Sequence, residues 1–174
     1  MRPTFGLTLI ELMIVLAIVI ILMLLAQPGF QQMLDKQRID VATRDLFGSI
    51  MLTRAEAIRR GHRVDLAASD GTDWRNGWTV FIDADEATHA GQPKKIIHVH
   101  PSLPARLTIT SVLRDRSSPY IAYAGNGRSR INSNSQVPQV GHLQLTLGAQ
   151  QRRIILNFMG RPRLCNPAVD SGCE

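Results

Sequence analysis

The sequence lacks the short motifs by which many enzymes are recognised. It has no nucleophile elbow, no phosphate-binding glycine loop and no metalloprotease motif. Each of these motifs holds a nucleophile, a phosphate or a metal ion in a defined backbone setting, so their absence argues against the enzyme classes built on them. We therefore predict that the protein is not an enzyme and uses no cofactor.

Candidate metal ligands are also few. Asp83, Asp85 and Glu86 lie close together, but the segment lacks the glycine and the distal glutamate of a calcium loop. We interpret it as a solvated acidic turn. His98 and His100 lie two residues apart on one face of a predicted strand, and no third ligand is identifiable beside them. We therefore predict no metal site.

Residues 7–26 contain no Lys, Arg, Asn, Gln, Gly or Pro, and Glu11 is their single charged residue. As an α-helix, these residues would extend about 30 Å, which is roughly the hydrocarbon thickness of a bilayer. We predict that the segment spans the membrane. An ordinary signal-anchor helix and a secretory signal peptide are alternatives, although the second would usually be shorter and end in a small-x-small cleavage site.

The residues before this run narrow the interpretation. Gly6 ends a short leader with one positive side chain, and residues 7–12 read Leu-Thr-Leu-Ile-Glu-Leu. This pattern resembles the class III signal of type IV pilins and pseudopilins, except that Leu7 stands where Phe is usual and Phe5 where Lys or Arg is common. The resemblance implies cleavage after Gly6 by a prepilin peptidase on the cytoplasmic side, and methylation of the new amino terminus at Leu7.

Glu11 needs a partner, because a carboxylate in such an apolar helix is costly to bury alone. In a filament of stacked helices, the α-amino group of a neighbouring subunit would offset its charge, and this pairing would set the stagger between subunits. We therefore predict that Glu11 acts in assembly. The resemblance implies a single-pass protein of the bacterial inner membrane that contacts lipid, holds its head in the periplasm and later joins other major and minor pilins in a surface pilus or pseudopilus.

The helical pattern continues past the apolar run. Pro28 and Gly29 predict a kink, and Arg59 and Arg60 before Gly61 are typical of a helix C-terminus. Between them, residues with helical spacing predict one buried face: Ile39, Ala42, Leu46, Ile50, Thr53 and Ala57.

After Gly61 the hydrophobic period changes to two. The candidate strands are 62–68, 78–82, 95–100, 107–113, 120–124, 142–147 and 152–158, and residues 148–151 join the last two as a hairpin. A helix followed by a run of strands predicts the α+β class with antiparallel sheets. We divide the chain into a leader at 1–6, a long helix at 7–60 whose transmembrane part is 7–26, and a β-rich periplasmic head at 61–174.

Three further segments look like the successive signatures of the GspH/FimT family of minor pseudopilins. They are residues 77–85 (GWTVFIDAD), 123–128 (YAGNGR) and 160–163 (GRPR), the last followed by Cys165. The family implies a long N-terminal helix packed on a β-sandwich-like head. It includes type II secretion pseudopilins and minor pilins of type IV pili, and some FimT members bind DNA through a C-terminal G-R-x-R motif during natural transformation.

The sequence has only two cysteines, Cys165 and Cys173, which lie eight residues apart near its end. Because the predicted anchor places the head outside the cytoplasm, we predict that they form a disulfide that orders the tail. With no other cysteine nearby, a zinc site is not expected.

Acidic residues are scarce at the C-terminal end. Residues 1–103 hold eleven Lys or Arg and eleven Asp or Glu, whereas residues 104–174 hold nine and three, so the whole net charge of +6 lies there. Such arginines could simply keep the protein soluble or pair with acidic neighbours in a pilus. Because the arginine fork suits phosphate and no groove-reading helix is evident, we predict sequence-independent binding of double-stranded DNA. The candidate residues are Arg161 and Arg163, with Arg128, Arg130, Arg152 and Arg153 as auxiliaries.

Two functions remain open at this point. The first is a FimT-like minor type IV pilin that enters or primes the pilus and captures extracellular DNA for natural transformation. The second is a GspH-like minor pseudopilin with a structural role in type II secretion and no DNA binding. The charge asymmetry and the pair Arg161 and Arg163 favour the first.

Overall fold

A computed structural model of the chain describes residues 8–82 and 95–173, without the side chains of residues 24–29. The predictions for Gly6, Leu7 and the acidic segment 83–86 therefore lie outside the described residues. The elements are α1 (Leu9–Arg60), β1 (Val64–Ala68), a 3₁₀ turn (Trp74–Asn76), β2 (Trp78–Ile82), β3 (Lys95–His100), β4 (Thr108–Leu113), β5 (Tyr120–Tyr123), β6 (Ser129–Arg130), β7 (Gly141–Leu147), β8 (Gln150–Leu156) and β9 (Pro162–Cys165).

Both ends of α1 have defined caps. The Thr8 hydroxyl accepts a hydrogen bond from the Glu11 backbone N–H at 3.3 Å, and the Glu11 carboxylate accepts one from the Thr8 N–H at 3.5 Å. This reciprocal arrangement is a capping box, which satisfies two of the free N–H groups at a helix start. At the other end, Gly61 has φ 73° and donates its N–H to the carbonyl of Ala57.

The N-terminal part of α1 is exposed along its length, and Leu9, Met13 and Leu22 are among its exposed large apolar side chains. Within the described residues, no helix is both long enough and apolar enough to cross a membrane. The predicted span over residues 7–26 is therefore not confirmed by the structure.

The second half of α1 packs on the strands, chiefly on β8, β1 and β7. All six residues of the predicted face are 0–4% exposed, so this prediction is confirmed. Polar groups on that face are paired, since the indole N–H of Trp78 donates to the Ser49 hydroxyl at 2.8 Å and the Thr53 hydroxyl donates to the Ser49 carbonyl. The amphipathic pattern, rather than the capping groups alone, therefore fixes which side of the helix meets the head.

The described strands form two antiparallel sheets. One has the order β3-β2-β1-β5-β6 and the other β4-β7-β8-β9. Their inward side chains and the buried face of α1 form one core, in which Leu66, Leu143 and Ile154 are fully buried. The predicted α+β class with a long helix on antiparallel sheets is confirmed.

The strand predictions differ from the structure mainly near the C-terminus. The β7–β8 hairpin is confirmed, but Leu147 pairs with Gln150, so its turn is two residues shorter than predicted. Strands β6 and β9 were not predicted. The first has only two residues, and the second begins at Pro162, which lacks the N–H of an ordinary ladder residue and is tolerated at an edge.

Candidate nucleic-acid interface

The turn between β8 and β9 is held by the side chain of Asn157. Its Oδ1 accepts hydrogen bonds from the N–H groups of Met159 (3.0 Å) and Arg161 (2.9 Å). The Gly160 N–H donates to the Asn157 carbonyl at 2.9 Å, and Gly160 has φ 72°. The backbone that carries Arg161 is therefore fixed on its N-terminal side.

Gly160 also packs against the loop between β5 and β6. The buried Tyr123 hydroxyl donates to the Gly160 carbonyl at 2.8 Å, and burial raises the pKa of Tyr123, so it remains a protonated donor. A Cβ added at Gly160 would come within 2.7 Å of the Ser129 N. The glycine of the G-R-P-R segment is thus required by a positive φ and by a close backbone approach.

The loop between β5 and β6 is in turn held on the end of α1. The Arg54 side chain donates to the Gly127 carbonyl at 2.8 Å, and a Cβ on Gly125 would come within 2.3 Å of the Gly61 backbone. The Y-A-G-N-G-R segment is therefore a packing motif that joins the helix end to the head. Through these contacts, Arg128 and Arg161 lie at the same end of the molecule.

Arg128 and Arg161 are both exposed. The Arg128 guanidinium lies 5.3 Å from the centroid of the Phe158 ring, which is a cation–π distance. Within the part of the chain that the structure describes, neither guanidinium forms a salt bridge with a carboxylate. We refer to Arg128, Phe158, Met159 and Arg161 as the turn surface.

Arg163 lies on β9 and faces the tail. Its Nη1 is 3.3 Å from Oδ2 of Asp170, and its Nη2 donates to the Gly172 carbonyl. The two charged side chains are 53% and 41% exposed. Exposed pairs of this kind contribute roughly 0–1 kcal/mol, so Asp170 competes only weakly with another anion for Arg163.

Three of the six predicted arginines are engaged inside the protein, and we therefore propose a smaller candidate set. Arg152 pairs with Asp40 of α1 at 2.6 Å, and Arg153 donates to the Cys173 carbonyl and to Oε1 of Gln144 at 2.8 Å. The scarcity of acids in residues 104–174 did not reveal the partner of Arg152, because Asp40 lies far away in the chain, in α1.

Arg130 is the third of these residues. It lies in β6, opposite Ala122 of β5, and is only 8% exposed. A side chain that is buried in a sheet cannot reach a large polyanion without local unfolding. The exposed set therefore contains Arg128, Arg161 and Arg163.

The disulfide is present between Cys165 and Cys173, with 5.7 Å between the two Cα atoms. This prediction is confirmed. The closed loop brings the carbonyl groups of Gly172 and Cys173 to Arg163 and Arg153, respectively. The tail is thus ordered by the bridge and by two arginines together.

The two histidines of β3 have structural neighbours. The His100 ring stacks on Trp78 with centroids 3.9 Å apart, and its Nε2 is 3.5 Å from Oδ2 of Asp45. His98 and His100 border the same shallow pocket beside α1. In residues 8–82 and 95–173, no three His, Cys, Asp or Glu side chains are grouped so that they could hold a metal ion.

A long helix whose second half packs on two antiparallel sheets is the architecture of type IV pilin-like proteins. Residues 42–160 match the family model of the type II transport protein GspH, and residues 1–26 match the prokaryotic N-terminal methylation motif. The chain belongs to the GspH family and is a type IV pilin-like minor pseudopilin. Minor pilins of this class are structural subunits that associate with other pilins in a pilus or pseudopilus.

The chain is similar to three known proteins. It is 29% identical over 171 residues to the pilin-like protein PilA1 of Thermus thermophilus, covering 91% of this chain and 97% of that protein. The minor pilin FimU of Pseudomonas aeruginosa shares the fold with a TM-score of 0.59 at 15% identity, covering 80% and 97% of the two chains. The minor pseudopilin EpsH from the type 2 secretion system of Vibrio cholerae gives 0.52 at 17% identity, covering 75% and 98%.

Proposed function

We propose that the protein is a FimT-like minor type IV pilin that binds double-stranded DNA for uptake in natural transformation. One observation carries this proposal: Arg128 and Arg161 are exposed on two loops whose backbones approach closely at Gly160 and Ser129, and neither has a carboxylate partner among the described residues. Arg163 adds a third guanidinium, because its exposed pair with Asp170 can open at little cost.

The methylation motif supports the membrane and assembly part of the proposal. We infer that the leader 1–6 is removed after Gly6, that Leu7 is methylated, and that helix 7–60 anchors the head 61–174 in the periplasm before the protein joins other pilins. A structural GspH-like pseudopilin of a type II secretion system is the second candidate, which the matching family model favours.

Binding through a few arginines should be weak and strongly dependent on salt. Each phosphate contact releases counterions from the duplex, so the logarithm of the binding constant should fall by about 0.9 per contact for each tenfold rise in salt. With two or three contacts, the slope should be roughly 2 to 3. Phosphate contacts carry no sequence information, so duplexes of different sequence should bind alike.

The test is to replace Arg128 and Arg161 together by Gln in the mature full-length chain held in detergent. Binding to a fluorescent duplex should fall, and the salt slope should decrease by about 2, because each lost contact removes about one. Fluorescence anisotropy across a salt series measures both quantities.

The matched control replaces Arg114 and Arg116 by Gln. These exposed arginines lie elsewhere on the head, and the change removes the same charge. The control should bind almost as the parent does. Equal losses in the two double variants would show a general charge effect, and no loss in the first would favour the secretion pseudopilin.

Asp170→Asn should strengthen duplex binding. The substitution removes the carboxylate that pairs with Arg163, which keeps its hydrogen bond to the Gly172 carbonyl. The energy of an exposed pair corresponds to an increase in affinity of about two- to fivefold. Asp73→Asn is the control, because Asp73 forms an exposed pair with Arg75 and the new side chain can still cap the 3₁₀ turn. Unchanged binding by the Asp170 variant would place Arg163 outside the interface.

A further inference from the structure

Phe158 is an unusual aromatic residue for this head. It lies in the β8–β9 turn and is 58% exposed, and its neighbour Met159 is 53% exposed. In the described part of the head, residues 61–82 and 95–173, every other aromatic side chain is at most 8% exposed: Trp74, Trp78, Phe81, Tyr120 and Tyr123. Neither the fold nor the core therefore accounts for a ring at this place.

The ring is held in a defined position. Arg128 covers it at 5.3 Å, and the turn that carries it is fixed through Asn157, Gly160 and Tyr123. A guanidinium and an aromatic ring are both flat and both stack on nucleobases. Because both partners already lie together, a base that stacks there would find a preformed surface, which lowers the cost of ordering on binding.

Charge complementarity indicates what occupies this surface. Arg161 follows two residues after Met159, is exposed and has no carboxylate partner within the described residues, so it can bind a phosphate beside the stacked ring. Ring stacking combined with a basic track is the general chemistry of single-strand binding. In a duplex, by contrast, the base faces are stacked on one another and are not available to Phe158.

We propose that Arg128 and Phe158 form a stacking site for an unpaired base of single-stranded DNA, with Arg161 on the adjoining phosphate. This inference rests on the proposed DNA binding and adds a preference for ends, gaps or single strands. A neighbouring protein subunit that packs on the same turn surface is the competing occupant. The experiment below tests whether single-stranded DNA occupies this surface.

The experiment compares Phe158→Ala, Phe158→Leu and Phe158→Trp in the mature full-length chain in detergent. The ligands are an oligothymidylate and a blunt duplex of equal length. Loss of one stacked base should weaken oligothymidylate binding about five- to a hundredfold in the Ala and Leu variants, with duplex binding changed less than twofold. The Leu variant retains apolar surface without a ring and is therefore the matched control for stacking.

The Trp variant supplies a direct signal. The two native tryptophans, Trp74 and Trp78, are 2% and 0% exposed, so an indole at position 158 would be the one accessible to a base. Stacking should preserve binding and quench this fluorescence. Melting temperatures of all three variants should match the parent, because the ring is exposed.

Each other outcome overturns the inference. Oligothymidylate binding at the parent level in Phe158→Ala, full binding by Phe158→Leu, or no quenching in Phe158→Trp would show that no base stacks on the ring. If duplex binding persists and still needs Arg128 and Arg161, only the stacking site is wrong and the proposed function stands. If the parent binds neither ligand, the proposed function fails as well.

Discussion

Asp65→Asn should lower the free energy of unfolding by about 3 kcal/mol, because it leaves a buried charge without its ionic partner. The Asp65 carboxylate accepts two hydrogen bonds from Arg63 Nε, at 3.0 and 2.8 Å, and the two side chains are 6% and 9% exposed. Asn has the same shape but no charge, so the buried guanidinium loses its carboxylate partner and retains its hydrogen bond to Asn132.

Chemical denaturation of the parent and the variant measures this effect. The control is Asp73→Asn, because its pair with Arg75 is 29% and 44% exposed and should contribute less than about 1 kcal/mol. The ion pair borders an open cavity of about 510 Å³. If the two variants lose equally little stability, water in that cavity screens the pair and the prediction is wrong.

Glu11→Gln should leave most of the protein in the membrane fraction and out of filaments. The structure gives Glu11 a local role in the capping box with Thr8, and our assembly prediction gives it a second role through its charge. Gln at this position can still complete a capping box, but it cannot pair with a positive α-amino group. The variant therefore separates the two roles.

Immunoblots of sheared filaments and of membranes measure this distribution. Glu11→Val removes both the cap and the charge, and it should enter filaments no better than the Gln variant. If the Gln variant enters filaments at the parent level and the Val variant does not, Glu11 acts as a helix cap and not as an ion-pair partner.

The elements that depend on a repeated pattern could be predicted well from the sequence. Six apolar or small residues at helical spacing gave the buried face of α1, and the bounds of β2 and β3 were predicted correctly. Burial of one face imposes these periods over many residues, so the signal is strong. Strand β6 has two residues, which is too short for any period, and it is defined by its pairing with β5.

The arginines were harder to assign, because pairing across the fold has no local signal. Asp40 and Arg152 are 112 residues apart in the chain, yet 2.6 Å separates their charged groups. Counting acids near Arg152 therefore could not reveal its partner. The capping box is the opposite case, since Thr8 and Glu11 three residues apart are a recognised helix-start signal that we did not use.

The exposure of Phe158 was also difficult to predict from the sequence. This residue lies at the end of the predicted strand 152–158, where an alternating pattern would bury it. In the structure β8 ends at Leu156, and the hydrogen bonds of Asn157 turn the chain before the ring can enter the sheet. A single Asn can thus decide whether an aromatic side chain joins the core or the surface.

The contacts of the β5–β6 loop also connect the β8–β9 turn to α1, so that a mechanical force on the turn can reach the helix. A force applied to the β8–β9 turn is transmitted from Gly160 to Tyr123 through their hydrogen bond. It then reaches the last turns of α1 through the hydrogen bond that Arg54 donates to the Gly127 carbonyl. The close backbone contact of Gly125 with Gly61 resists separation at the same point. A polymer drawn from that turn would therefore load the C-terminal end of α1 as well as β8 and β9, which continue the chain on either side of the turn.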